Sequence, residues 1–414
     1  MQPTLADKDQ RYLWHPFTQM QQWAEEDPVI IESGQGAVLR DVTGAEYLDA
    51  NSSIWTNLHG HRHPQISQAI KDQLDRIAHS SFLGLSNVPA INLAEKLSKL
   101  SGLPRVFYSD DGSTAMEVAL KMAWQYWQHR GQPQRKKFIA FTDAYHGDTL
   151  GAVSIGGIHL FHQTFQPLTF EVRRATNITE LKGLLNDEVV AVCIEPLIQG
   201  AAGMRLWPPG MLREVRGLCS HTLLIADEVL TGFGRTGTMF ACEHEGVVPD
   251  LMAVAKGLTG GYLPLAATLA TQDVFDAFLG EYREYKTFFH GHSYTGNQLG
   301  CAAALANLQV FEDERVLENL ADKIRDLQTK LAKCRQWPGV VDVRQCGFIG
   351  AVEVGPYRLE EQMGMKICRA LRDQGVLTRP IGNVIVIMPP YCITSLQLDK
   401  IFTALAVTIT TSQN

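Results

Sequence analysis

Two residues in the middle of the chain carry the types and the placement for chemistry. Asp227 follows the apolar run Leu223–Ala226, and Lys256 follows the apolar run Leu251–Ala255. Runs of this length and composition read as buried strands. In an open α/β sheet, ligands bind outside the carboxyl ends of the strands. An acid and an amine set there can meet in space although they are distant in sequence. A lysine can form a Schiff base with an aldehyde. An aspartate can keep a pyridinium nitrogen protonated, so that the ring acts as an electron sink. That pairing is what a pyridoxal phosphate enzyme needs.

Other strand ends add polar groups to the same edge. Arg105–Tyr108 reads as a short strand that runs into SDDGSTAMEVALKMAWQYW, an amphipathic helix with Ala115, Ala119, Met122, Ala123 and Tyr126 on one stripe. Gly112 and Ser113 lie where the loop enters this helix. The first N–H groups of a helix are unpaired and can bind a phosphate. Ser113 could equally be an ordinary N-cap, and the residues alone leave both readings open. Tyr145 and His146 follow the strand Lys137–Phe141, where an aromatic could stack on a flat ring or serve as plain core. Glu195 follows the strand Val189–Ile194. Arg379 stands alone among apolar and turn residues. Such an arginine can receive a carboxylate through two parallel hydrogen bonds, or cap a surface turn.

The elements that must position these groups alternate. From residue 105 to 258, strands and helices succeed each other as in a mostly parallel sheet covered by helices. Before it, Val29–Ser33, Ala37–Asp41 and Glu46–Asp49 read as a small antiparallel sheet outside the main domain. The segment 157–187 reads as loop-rich, with no element assigned. After it, helices over Val316–Cys334, Met363–Gln374 and Ser395–Val407, with strands in 340–354 and at Val384–Met388, read as an α+β unit. A length of 414 residues suggests more than one domain. The expected division is an N-terminal segment, 1–50, packing with the small domain; a large cofactor-binding domain, 51–300; and a small C-terminal α+β domain, 301–414.

Composition excludes several classes. The net charge is −7 with no block of like charges, so neither a nucleic-acid groove nor a polybasic membrane surface is expected. The eight cysteines are scattered and none forms a CxxC pair, which reads as reduced thiols in a cytoplasmic protein. The first residues, MQPTLADKDQRYLWHP, lack a signal-like apolar run, and no stretch is long and apolar enough for a membrane span. His59, His61 and His63 alternate, but no carboxylate or cysteine joins them at a metal-ligand spacing, and no metal is expected. No GxGxxG or Walker-type motif occurs in its required setting.

The stretch LIADEVLTGFGRTGTMFACEHEGVVPDLMAVAKGLTGG, with SSIWTNLHGHRHP, VFYSDDGSTAMEVALKMAWQYW, AYHGDT and IEPLIQGAAGM, resembles the class III aminotransferases of the fold-type I pyridoxal phosphate enzymes. The resemblance covers nearly the whole chain. It implies an aspartate-aminotransferase-like fold, with a mostly parallel seven-stranded sheet in the large domain. RYLWHPFTQM and TRPIGNVIVIMPPY resemble, within this family, the branch that aminates 8-amino-7-oxononanoate to 7,8-diaminononanoate for biotin synthesis.

The resemblance also implies roles. Lys256 would bind pyridoxal 5′-phosphate and shuttle the proton, Asp227 would pair with the ring nitrogen, and Tyr145 would stack on the ring. Gly112, Ser113 and, across a homodimer interface, Ser293 would hold the phosphate. His146, Glu195 and His292 would complete the cofactor site. Arg379 would bind the substrate carboxylate, with Trp55 and Gly291 lining the substrate slot. The implied donor is S-adenosyl-L-methionine. Some residues depart from the best-known members. The loop reads HGHSY in place of a Gly-Pro-Thr run, Ile54-Trp55 replaces paired tryptophans, and Phe17 and Val386 stand at tyrosine positions. HGHSYTGN looks closer to a bacterial subgroup that uses lysine, so lysine is the alternative donor. Another class III ω-amino-acid aminotransferase, a glutamate-semialdehyde aminomutase and a non-catalytic regulator are the remaining readings. The terminal segments count against the first two, and the Asp227–Lys256 pair against the third.

Overall fold

The structure is a computed structural model and describes residues 3–412. Its centre is a seven-stranded sheet in the order Arg105–Ser109, Ala266–Ala270, Leu251–Val254, Leu223–Asp227, Val189–Ile194, Lys137–Phe141, Val172–Ala175. Ala266–Ala270 runs antiparallel to both neighbours, and the other paired strands are parallel. Parallel strands covered on both faces become continuously apolar. Accordingly, Val189–Ile194 and Leu223–Asp227 are buried at every position. The alternation of side chains divides them between two cores. Ile139 and Phe141 enter one, Phe138 and Ala140 the other.

The helix Gly112–His129 covers the second face with Ala115, Met116, Ala119, Leu120 and Ala123. The helix Gln298–Asp313 covers the first with Cys301, Ala303, Ala304 and Leu308. Small side chains let this helix lie close to its neighbours, Pro64–Arg76 and Val88–Ser101.

A second, antiparallel sheet is built from Val340–Cys346, Ile349–Val354, Val384–Ile387 and Pro380–Ile381, in that order. Val316–Cys334, Met363–Arg372 and Ser395–Thr411 are its helices. The N-terminal sheet contains the expected antiparallel strands, Ile31–Gln35, Val38–Asp41 and Glu46–Asp49. It also has a fourth strand, Val376–Leu377, parallel to Glu46–Asp49. Segment 157–187 is not simply loop. It contains the edge strand Val172–Ala175 and the helix Ile178–Leu184. The strand reads VRRA, and its two arginines break the apolar pattern because an edge lets them reach out. Arg174 donates to the carbonyl of Ser154 at 2.9 Å, and Arg173 lies 3.4 Å from Glu188.

All eight cysteines are unpaired. Among the described residues, no helix is long and apolar enough to cross a membrane.

Candidate active site

The carboxyl ends of the parallel strands open on one cavity of about 780 Å³. Its lining includes Asp227, Lys256, Glu195, Tyr145, His146 and the helix start at Gly112 and Ser113. Trp55 and Asp148 also line it.

Asp227 ends its strand with its carboxylate almost out of solvent. Oδ2 meets His146 Nδ1 at 2.7 Å, and Oδ1 accepts from the Val229 amide at 3.0 Å. Burial lowers the pKa of His146, but its bond to Asp227 and the charges of Asp227 and Glu195 outweigh burial and raise it overall. His146 Nε2 is buried and has no protein partner.

Glu195 is held by two backbone donors, Tyr145 N–H at 3.1 Å and Gly200 N–H at 2.9 Å. Burial nevertheless pushes its pKa up to about 7. Lys256 begins a short 3₁₀ turn, Lys256–Thr259, with φ +40°, in the left-handed region. Its Nζ sits 4.9 Å from the Trp55 ring centroid. Burial depresses the lysine pKa; Arg235 pushes the same way, and Asp227 and Glu195 oppose it.

At the helix start the capping reading of Ser113, left open by the sequence, is excluded. The N-cap is Asp111, not Ser113. Asp111 accepts from the Thr114 amide at 3.0 Å and forms a capping box with it. An aspartate with a hydroxyl three residues on satisfies both ends of the box. Ser113 is thereby free of capping, and its hydroxyl accepts from the Asp148 amide at 2.9 Å. Two glycines shape this cradle. A Cβ on Gly112 would meet Val229 Cγ1 at 2.6 Å. A Cβ on Gly147, which has φ +116°, would meet Ser113 Oγ at 1.8 Å. Tyr145 donates its hydroxyl to Asp148 at 2.7 Å, and its ring lies parallel to that of His162, 6.1 Å away.

The wall carrying Trp55 is unusual. Ser52, Ser53, Ile54 and Trp55 all have positive φ. Left-handed backbone costs a non-glycine residue about 1–2 kcal/mol, so a network must hold this turn. Asp49 accepts from the Ser53 amide and hydroxyl at 3.0 and 2.8 Å. Ser52 donates to the Met388 carbonyl and Trp55 Nε1 to Asn51 Oδ1, each at 2.7 Å. Arg235 is 1% exposed and donates to the carbonyls of Trp55, Asn57 and Pro389. Neither Asp49 nor Arg235 was expected at the site from sequence. The signal for Arg235 was available as a lone cation inside the glycine-rich GFGRTG.

Several expected residues lie outside this cavity. Arg379 is exposed and donates to the Phe17 carbonyl at 2.8 Å, beside a separate small cavity that Phe17 also lines. Ile54 is exposed. Gly291 and Ser293 are exposed, and His292 Nε2 lies 3.2 Å from Asp110 Oδ1, at the cavity's rim. Val386 is fully buried in an apolar cluster with Ile198, Met204 and Leu230, against which Trp55 packs. Among the described residues no group of three or more His, Cys, Asp or Glu side chains is placed to hold a metal.

The family profile described as "Aminotransferase class-III" matches residues 19–409. The chain belongs to the class-III aminotransferase family. Class-III aminotransferases are pyridoxal 5′-phosphate enzymes of fold-type I, and this aminotransferase is one of them. It is 52% identical to the adenosylmethionine-8-amino-7-oxononanoate aminotransferase of Geobacter sulfurreducens, over 96% of this chain and 95% of that protein. It is 47% identical to the protein of the same name from Aquifex aeolicus, over 97% and 96%. The crystal structure of the enzyme so named from Methanocaldococcus jannaschii superposes with a TM-score of 0.96, at 45% identity, covering 98% of each chain. A transaminase from a marine Virgibacillus superposes at 0.92 with 31% identity, covering 99% of each.

Proposed function

We propose that this aminotransferase transfers an amino group to 8-amino-7-oxononanoate, forming 7,8-diaminononanoate, with S-adenosyl-L-methionine as donor. The end-to-end similarity to relatives that carry this activity in their name carries the reading. Those relatives stand well above the general transaminases in identity. We read the protein as a cytoplasmic homodimer, residues 51–300 forming the cofactor-binding domain, 301–414 the small domain, and 1–50 a segment packed on the latter.

The donor set of the cavity fits pyridoxal phosphate. One space is lined by a primary amine of lowered pKa, a buried carboxylate, a phenol ring and a helix start cleared of Cβ atoms. Lys256 would hold the aldehyde carbon, Asp227 the ring nitrogen and Tyr145 a ring face. Gly112 and Ser113, with Ser293 from the partner subunit, would hold the phosphate. When bound, the cofactor supplies a ring that accepts the charge left on the substrate carbon after deprotonation. Lys256 Nζ, depressed in pKa by burial, is the base that takes that proton and later returns one. His146 holds the Asp227 carboxylate in place through its Nδ1, 2.7 Å from Oδ2. Glu195 ties the Tyr145 and Gly200 backbones together across the floor. Trp55, Ile198 and Leu230, which line the cavity, offer an apolar wall to an aliphatic chain, and Arg379, which here donates to the Phe17 carbonyl outside it, would turn to receive the far carboxylate.

The test is product analysis by mass spectrometry with purified enzyme, 8-amino-7-oxononanoate and each donor in turn. Diaminononanoate with S-adenosylmethionine supports the reading. Formation with lysine alone overturns the donor, and none with either overturns the substrate.

A further inference from the structure

Lys256 sits on a backbone that a lysine does not choose by itself. Its φ of +40° opens a single 3₁₀ turn that ends at Gly260, also left-handed at +64°. A turn of four residues makes too few internal bonds to fix such a conformation. Something outside it must.

The candidate is Asn307, on the helix Gln298–Asp313. Its side chain is fully buried. Nδ2 donates to two carbonyls, those of Gly257 and Leu258, each at 3.0 Å. These are the two residues directly after Lys256. Both hydrogens of one amide are therefore spent on the turn that carries the reactive lysine. The other end of the amide, Oδ1, has no hydrogen-bond partner and faces Gly260. A Cβ on Gly260 would stand 2.7 Å from Asn307 Oδ1, so glycine leaves room for that oxygen as well as adopting the positive φ. The buried His59 neighbours Asn307, and burial first, then the neighbouring His63, hold its pKa down to about 3. It stays neutral and places no charge beside the amide.

The helix itself gives Asn307 a rigid base. Asn297 caps its first turn, accepting from the amides of Leu299 and Gly300 at 3.1 Å each. Cys301, Ala303 and Ala304 are entirely buried. Asparagine has a below-average helix propensity, and its Oδ1 is buried here without a hydrogen-bond partner, so the position is expensive and is offset by the two bonds from Nδ2 to the turn.

We infer that Asn307 is a positioning residue for the reaction: it clamps the Lys256–Thr259 turn to the Gln298–Asp313 helix and so fixes where the lysine amine stands in the cavity. The inference rests on Lys256 being the cofactor-bearing base. Asn307 does not line the cavity. It acts through the backbone, by denying Lys256 the alternative φ that would swing Nζ away from Asp227, Glu195 and Trp55.

The test uses full-length holoenzyme and compares wild type with Asn307→Leu, Gly260→Ala and Leu308→Ala. Asn307→Leu removes the clamp at similar volume. Gly260→Ala crowds the same amide from the other side while leaving Asn307 in place. Leu308→Ala is the control, a buried loss on the same helix with no bond to the turn. The readouts are the pH titration of the visible cofactor band, kcat and KM for 8-amino-7-oxononanoate, and the melting temperature. Asp227, Glu195 and Arg235 are the charged groups around the lysine, and none is altered. In both clamp variants the midpoint of the band is expected to move by about one pH unit or more. Their kcat is expected to fall about tenfold or more while KM changes less than about twofold. The control should lose melting temperature alone. If Asn307→Leu does not fold, Gly260→Ala decides the matter by the same readouts. A band midpoint and kcat unchanged in the clamp variants, or moved equally in the control, overturn the inference. Loss of the lysine-bound band is separate: if Lys256→Ala keeps the wild-type band, the reading of Lys256 has failed and not only that of Asn307.

Discussion

Glu195→Gln offers a quantitative check on the electrostatics of the cavity floor. The carboxyl of Glu195 is moved from an ordinary 4.5 to about 7, chiefly by burial. In the pH window between these values the folded chain holds a proton that the unfolded chain has released. Stability therefore falls as pH rises from 4.5 to 7, and the contribution is gone above the folded pKa. At about 1.4 kcal/mol per pH unit, the loss is about 3 kcal/mol. Glutamine has no such proton. It does place an amide N–H₂ or a single oxygen against two backbone donors, at a cost of about 1–3 kcal/mol. That cost is constant with pH and cancels when each variant is compared with itself. The assay is urea unfolding of the cofactor-free chain at pH 5 and pH 8. The wild type should lose about 3 kcal/mol more between these conditions than Glu195→Gln does. Parallel losses in the two proteins would refute a buried, proton-binding Glu195.

Other changes probe the neighbouring contacts. His146→Leu removes the partner of a nearly buried Asp227 carboxylate, and breaking such a pair costs about 3–5 kcal/mol; denaturation of the apo chain should register it, together with weaker cofactor binding. Gly147→Ala drives a methyl to within 1.8 Å of Ser113 Oγ, so cofactor affinity, measured by equilibrium dialysis, should drop while Ser113→Ala drops less. Arg379→Ala should raise KM for the oxononanoate and leave the cofactor dissociation constant within about twofold; equal damage to both would make Arg379 structural.

The large sheet was legible because its strands are pure apolar runs that end in ionisable residues. Val189–Ile194, Leu223–Asp227 and Leu251–Val254 announce themselves, and Glu195, Asp227 and Lys256 mark their common edge. The edge strand Val172–Ala175 was illegible because Arg173 and Arg174 carry no sheet pattern. Ser113 was open between a cap and a phosphate ligand because serine suits both, and Asp111, paired with Thr114, takes the cap. The left-handed run Ser52–Trp55 has no glycine to betray it. It exists because the neighbouring Asp49 and Asn51 and the distant Met388 hold Ser53, Trp55 and Ser52 in turn. Asn307 was hidden, since a lone buried amide acquires its meaning from carbonyls distant in sequence, whereas Arg235 stood out only as a lone cation inside GFGRTG. Arg379 was visible as an isolated cation, yet in the chain by itself it faces the Phe17 carbonyl rather than the main cavity.

The central claim is that Lys256 carries the cofactor in the cavity beside Asp227. Borohydride reduction of the holoenzyme, followed by digestion and peptide mass analysis, tests it most directly. The account predicts a pyridoxyl phosphate adduct on the peptide containing Lys256, absent from Lys256→Ala. An adduct on a different lysine, or a cofactor-replete enzyme that acquires none, would contradict it.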